Sequence, residues 1–402
     1  MPAHAPAGPG PAPLWAVGVL TFVNSLGSGL IWSALFFVTR HDFGFEPRDN
    51  FLLQLGATVI YILVAWGSGR VVRRLPASIT PRHVLAVLLL VQLAAGVVAP
   101  MGLGGVLTCA MMASGMAASF WPLMESYVSS GRHGRTMRRA LGAFNLSWMS
   151  AVPLAMFLMA PLMGSGAARW GLTLFVPMSL VSLLVLRWMP ARPAPHAPEE
   201  VHRHVPAHYE ALRNATRFLL PVAYIFIGAL GPAMPFLLER LRVEETMETP
   251  LSAVWMCVRV GAVVALMLLH AWHGRWSTLA AGFAGLASGF ALILWSPDVA
   301  TLVCGLVLFG LGSAVVYFAA IYYAMAVGGA DVDSGAFFET LVGLGYLVGP
   351  LAGLALGIGA PYLWGVLAAG AACSLPAAGI WLRSARVTAG PGAGPAPGEG
   401  GP

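Results

Sequence analysis

The chain has 402 residues, of which 58% are hydrophobic and only 9% charged. A water-soluble domain carries about 25% charged residues, so this composition excludes one and makes lipid the natural solvent. The formal net charge of +6 rests on 22 basic residues, all Arg. They stand in short clusters between apolar runs and form no continuous basic face, so no nucleic-acid partner is expected.

Residues 1–13, rich in Pro and Ala, lack the positive start of a signal peptide and read as a disordered tail. A membrane-spanning helix needs about 20 apolar residues. Twelve such runs follow, at 14–38, 51–69, 83–100, 103–128, 140–163, 168–189, 217–238, 250–272, 277–296, 299–327, 335–359 and 361–383. Helices are the expected form, because backbone polar groups cannot stay unpaired in hydrocarbon. Turn residues or charges break the runs, most thinly at Gly359-Ala360-Pro361. The longest polar segment, 190–216, separates a first bundle over 14–189 from a second over 217–384, and residues 385–402, mostly Gly and Pro, read as a second disordered tail. The predicted fold class is an all-α membrane protein of twelve transmembrane helices in two six-helix bundles.

Cys109, Cys257, Cys304 and Cys373 each stand alone in an apolar run, without the C-x-x-C spacing of a zinc site or redox pair, and read as packing residues. His196, His202, His204 and His208 crowd the central segment, where the surrounding prolines favour a solvated linker over a metal tract. No metal and no cofactor is expected.

Arginine sets orientation in membranes. With the N-terminus inside, sixteen arginines, among them Arg70, Arg73, Arg138 and Arg139, fall on the cytoplasmic side. Five fall outside: Arg40, Arg48, Arg169, Arg240 and Arg242. A multi-pass protein of the cell inner membrane with both termini cytoplasmic is expected.

Three short matches recur in order. Phe22 to Gly29 pairs with Phe226 to Ala233 at a shift of 204, and Gly69-Arg70 with Gly274-Arg275 at 205. Gly142-Ala143-Phe144-Asn145 pairs with Ala336-Phe337-Phe338-Glu339 at 194. A nearly constant shift points to a duplicated six-helix unit, and two parallel six-helix halves with a site between them are a transporter architecture.

Over essentially its whole length the chain resembles the major facilitator superfamily, through the six-plus-six pattern and the long central loop. The segment Gly67-Ser68-Gly69-Arg70-Val71-Val72-Arg73-Arg74 sits where that family keeps its helix 2–3 motif, with the usual Asp missing. Trp121-Pro122-Leu123-Met124-Glu125, followed by Arg138 and Arg139, is similar to the helix 4–5 junction of the sugar-porter branch. There a Glu and an Arg form a cytoplasmic gate, which the resemblance extends to these residues. Gly345, Gly349-Pro350 and Gly353 look like the family's antiporter motif, but in the eleventh run rather than the fifth. The resemblance implies two bundles that rock about a central cavity and expose it to each side in turn.

Arg259 lies about nine residues into the eighth run, or roughly 13 Å deep. An arginine at that depth is costly and faces a cavity or a partner. It either holds an anionic or carbonyl-bearing solute, tunes a coupling acid, or forms a buried structural pair. Its repeat mate is Gln54. Glu339, about a turn inside the eleventh run, is either a proton-exchanging carboxyl or half of a gate pair; its mate Asn145 cannot titrate. Glu125, near four arginines, reads first as a gate latch and second as a proton site. Asn24, Gln54, Tyr61, Asn145, Tyr224 and Tyr317 are candidate cavity groups, each with interhelical hydrogen bonding as the alternative. Trp121, Trp148 and Trp255 suit either a ring-bearing solute or an interfacial anchor. Gly345, Gly349, Gly353 and Gly357 give one smooth helix face for tight packing, and Gly231-Pro232 with Pro235 predicts a kink.

No phosphate-binding loop, nucleophile motif or H-E-x-x-H occurs. Neither ATP-driven transport nor catalysis is expected. The reading that remains is a monomeric secondary active carrier of a small-molecule solute, with the proton as expected coupling ion. The rival is a non-transporting sensor or assembly factor. Within transport, a polar or anionic cargo, suggested by Arg259, competes with efflux of an amphipathic compound. The Met-rich stretch from Met111 and Met112 to Met116 and Met124 suits the latter.

Overall fold

The computed structural model describes residues 10–74, 76–132, 134–194, 206, 208–327 and 332–389, without the side chains of 72, 73, 134, 135, 138, 325, 326, 332–338 and 386–389. Among the described residues there is no strand, and twelve helices are long and apolar enough to cross a membrane. They are α1 (Leu14–Phe43), α2 (Pro47–Val71), α3 (Pro81–Val98), α4 (Leu103–Ser129), α5 (Arg139–Leu162) and α6 (Ala168–Trp188). The second half holds α7 (His208–Arg240), α8 (Glu245–Leu268), α9 (Trp276–Trp295), α10 (Val299–Ala324), α11 (Glu339–Leu356) and α12 (Ala360–Ala385). Leu63, Trp66, Leu90, Trp295, Trp364 and Leu375 are exposed on the outer wall. A surface of that kind is stable against acyl chains and not against water.

The duplication is visible in the packing. Within the first half α1 lies on α5 and α6, α2 on α4, and α3 on α4 and α6. Within the second, α7 lies on α11 and α12, α8 on α10, and α9 on α10 and α12. The halves meet where α2 packs on α11, α5 on α8 and the end of α1 on α7.

The first helix of each half weakens its backbone ladder at the same level. In α1 a π-helical turn, Leu30–Ala34, interrupts the α-helix. In α7 the equivalent stretch carries the expected Pro232 and Pro235. A π turn and a proline both remove regular i→i−4 hydrogen bonds, and π turns cluster at functional sites.

The glycine face of α11 is tightly packed, as expected. A Cβ on Gly345 would stand 2.5 Å from the Pro221 carbonyl oxygen, one on Gly349 2.4 Å from the Ala229 nitrogen, and one on Gly353 2.4 Å from the Phe51 ring. Gly357, at φ +67°, ends the helix.

Several boundaries differ from expectation. α7 starts at His208, so the last part of the expected 190–216 linker is helical; of the linker histidines His196, His202 and His204 lie outside the described residues. The last helix continues to Ala389, into the expected tail, the rest of which lies outside the described residues. At the other terminus Ala12 is 2% exposed and its carbonyl accepts from Arg132, so the end of the expected 1–13 tail is docked. Arg132 makes the dock because its guanidinium already reaches the Tyr127 and Val128 carbonyls at the end of α4. Of the cysteines only Cys109 is a buried packing residue; Cys257, Cys304 and Cys373 are exposed on the outer wall.

Candidate functional site

A cavity of about 140 Å³ lies between the halves. Both weakened helices reach it: Ser28, Trp32 and Ser33 from α1, Tyr224 and Ile227 from α7. The rest of its wall includes Tyr61, Trp121, Glu125, Trp148, Trp255, Arg259, Tyr317, Glu339 and Tyr346.

Arg259, midway along α8, is 7% exposed. Its guanidinium stands 5.0 Å from the Trp148 ring centroid on α5 and 4.5 Å from that of Tyr317 on α10. Desolvated cation–π contacts are worth about 2 kcal/mol, enough to hold the group without cancelling its charge. Among the described residues no carboxylate lies within ion-pair distance of it, and its buried Nε has no hydrogen-bond partner. Tyr224 on α7 is its electrostatic neighbour.

The two rings are fixed by Asn145. Its Oδ1 accepts from Trp148 Nε1 at 3.0 Å and from the Tyr317 hydroxyl at 3.3 Å, while its Nδ2 donates to the Leu141 carbonyl. Asn145 is thus a bracket behind the wall, not a lining group. Asn24 is likewise engaged, by the Leu20 carbonyl and Ser182, and Gln54 donates to Thr58. Neither lines the central cavity. Tyr61, Tyr224 and Tyr317 do line it, and so do Trp121, Trp148 and Trp255.

The carboxyls come together. Glu339, 8% exposed, accepts a hydrogen bond from the Tyr61 hydroxyl across the halves. The helix that carries it begins at Val332, seven residues before the apolar span α11, so Glu339 lies about two turns along that helix and at the first residue of the span. Glu125 faces the same cavity and interacts electrostatically with Glu339. Among the described residues no basic group pairs with Glu125: Arg139 is exposed, and the Arg138 side chain lies outside them, as does that of Arg73. Arg70 is exposed and stacks on Trp66 at 4.1 Å, away from the cavity. The Met-rich stretch packs elsewhere, with Met124 fully buried, and Met256 is the lining methionine among the described residues.

Residues not singled out in the sequence complete the wall. Trp32 and Tyr346 stack across the halves at 5.0 Å and 21°, and Trp32 meets Tyr61 edge to face at 5.6 Å. The only sequence signal for Trp32 was an aromatic inside a span. At the end away from the termini, ion pairs bridge the halves: Arg40 to Glu239 at 2.9 Å and His41 Nε2 to Glu248 at 2.7 Å, with Glu245 4.0 Å from His41 Nδ1. On the first half's own side Asp42 accepts from the backbone of Ala168 and Arg169 and pairs with the Arg169 side chain at 3.2 Å, which anchors the end of α1.

The family model described as Major Facilitator Superfamily matches residues 17–334. A search of curated proteins returned no match. Among solved structures, the chain is similar to the nucleoside transporter NupG, with TM-score 0.64, 11% identity, and coverage of 92% of this chain and 98% of that one. It is also similar to a bacterial homologue of the human lysosomal transporter Spinster, crystallised inward-facing and unoccupied, with TM-score 0.62, 13% identity, and coverage of 93% and 96%. At such identities the likeness is one of fold.

Proposed function

The chain belongs to the Major Facilitator Superfamily, and from that premise we propose that it is a proton-coupled secondary transporter that moves a small organic solute by alternating access. Membership of this family supports transport rather than catalysis. The observation that carries the finer reading is the placement of an unneutralised, buried Arg259 in one cavity with the carboxyls of Glu125 and Glu339. Buried ionisable groups in a membrane are expensive and mark substrate or proton pathways. A protein that only anchored or assembled others would have no use for them.

The cavity is stitched from both halves, by Trp148 on Arg259, Tyr61 on Glu339 and Trp32 on Tyr346. Rocking the halves breaks these contacts together, so a solute and a proton bound there are released in the same step. Glu339, already hydrogen-bonded across the halves, is the primary proton carrier and Glu125 its neighbour. The arginine distribution supports a reading with both termini in the cytoplasm and the helices in the inner membrane. The Arg40 and His41 pairs then close the external end. One chain supplies both halves of the site, and the monomer is the transporting unit.

The test uses purified protein in liposomes loaded with a pH-sensitive dye, challenged with a panel of solutes. Solute-dependent proton movement in the wild type should vanish in Glu339→Gln. Movement that persists there but vanishes in Glu125→Gln would transfer the proton to Glu125. Solute exchange with no proton movement at any pH would sink the coupling.

A further inference from the structure

The cavity's chemistry narrows its cargo. The amides that would read a hydroxyl-rich solute are turned away from the space: the Asn24, Gln54 and Asn145 NH2 groups each donate to packing partners, and none of the three residues lines the cavity. What faces the cavity is mainly aromatic and aliphatic, with three serines, Ser25, Ser28 and Ser33, and one permanent charge. A guanidinium cannot lose its proton in a protein, whereas each carboxyl becomes neutral on taking one up. With Glu125 and Glu339 protonated, Arg259 is the one fixed charge among the described lining residues, and it is positive. Its Nε is buried, has no hydrogen-bond partner, and belongs to a side chain more than nine-tenths buried. Trp148 and Tyr317 present their ring faces to the guanidinium and leave Nε without a hydrogen-bond acceptor. A planar guanidinium held in this way is matched by a carboxylate, which it binds through two parallel hydrogen bonds.

The cavity as a whole is on the scale of one ring. An apolar cavity of roughly 150 Å³ takes up benzene, and this one measures about 140 Å³. Its wall includes the Trp32–Tyr346 stack and the rings of Trp148 and Tyr317, from both halves. Such faces pair with a further ring, offset or edge-on.

We propose that the transported solute is a monocyclic aromatic carboxylate, with its carboxylate on Arg259 and its ring against the aromatic wall. This rests on the transporter reading above. It assigns the charges: the anion is held by Arg259, and the one proton carried on Glu339 offsets the one negative charge carried across.

The experiment reads quenching of tryptophan fluorescence in the purified full-length protein, using benzoate, cyclohexanecarboxylate, benzyl alcohol, benzylamine and glucose as probes. The same compounds are then offered to the proteoliposomes. Benzoate should bind best. Arg259→Ala should weaken benzoate by roughly tenfold to a hundredfold, the worth of hydrogen bonds to a charged group, and leave benzyl alcohol within a fewfold. Arg259→Lys keeps the cation and should recover part of the loss. The wild-type ranking stands even if Arg259→Ala fails to fold. Benzylamine or glucose binding ahead of benzoate, cyclohexanecarboxylate equalling benzoate, or no benzoate binding at all would overturn the assignment. If another compound is then taken up by the proteoliposomes, transport stands and only the cargo class falls. Benzoate binding without uptake would keep the site and remove the transport.

Discussion

His41→Phe should open the end of the molecule away from the termini. The Glu248 side chain is 3% exposed and takes its hydrogen bond from His41 Nε2 at 2.7 Å, while the histidine is 17% exposed. Removing one partner of a buried pair costs about 3–5 kcal/mol, because the other charge is left without compensation. With His41 partly in solvent, the low end applies, about 3 kcal/mol. Only the closed arrangement suffers this, since separation of the halves returns Glu248 to water. The equilibrium between closed and open should therefore move by roughly a hundredfold. The Arg40–Glu239 pair, with side chains 28% and 55% exposed, cannot compensate. Exposed pairs contribute about 0–1 kcal/mol. Spin labels on Arg48 of the first half and Met247 of the second, both exposed, report the separation by electron–electron resonance in a background freed of the four cysteines. His41→Phe should populate a longer distance. His41→Phe with Glu248→Leu should close it again, because an apolar pair replaces the ionic one without a stranded charge. A distance unchanged in the single variant, or equally long in the double, would refute the latch.

Three further outcomes follow from the same structure. Asn145→Leu removes the acceptor of Trp148 Nε1 and the Tyr317 hydroxyl; a lost partner costs about 1–3 kcal/mol, and probe binding at Arg259 should fall roughly tenfold with helical circular dichroism unchanged. Gly349→Val places a Cβ 2.4 Å from the Ala229 backbone nitrogen, whereas Gly67→Val meets nothing within 4 Å. Overpacking costs about 1–3 kcal/mol, so thermal melting should drop for the first and hold for the second. In the turn between α8 and α9, burial and the nearby His270 keep the His273 imidazole below its usual 6.5. The folded form therefore resists a proton that the unfolded chain accepts. Stability from this turn is present above pH 6.5 and declines as pH falls through it. Nuclear magnetic resonance should find His273 titrating below 6.5 and moving up in His270→Ala, and a midpoint at or above 6.5 in the wild type would refute this.

The twelve helices were legible because hydrocarbon leaves the backbone no alternative, so hydropathy alone fixes their number. Their ends were less so. α7 begins at His208 because Glu210 and Arg213 are polar yet helix-compatible, and a hydropathy run cannot see a helix that continues into water. Arg259 and Glu339 were legible as charges in apolar spans. Trp32 and Tyr346 were not, because an aromatic inside a span carries no mark of which face it is on. The latch at His41 was hidden for another reason: the acids at 239–248 were visible as a loop, but nothing local says which residue of the other half meets them.

The repeat mates explain why sequence pairing misplaced the amides. Gln54 and Arg259 occupy equivalent places, as do Asn145 and Glu339. In each pair the second-half member faces the cavity and the first-half member is turned into packing. Duplication thus supplies two copies of a backbone scaffold but only one set of charges at these positions. A symmetric cavity would carry two guanidiniums or two deep carboxyls facing each other, at the cost of like-charge repulsion in a medium that screens poorly. Neutral mates avoid that and leave the first half free to grip the charged residue: Asn145 holds Trp148 against Arg259, and Tyr61 donates to Glu339. Glu125 is the exception, a first-half acid set beside Glu339. Within the cavity it sets two like charges side by side among the described lining residues, and there uptake of a single proton changes the balance between the halves.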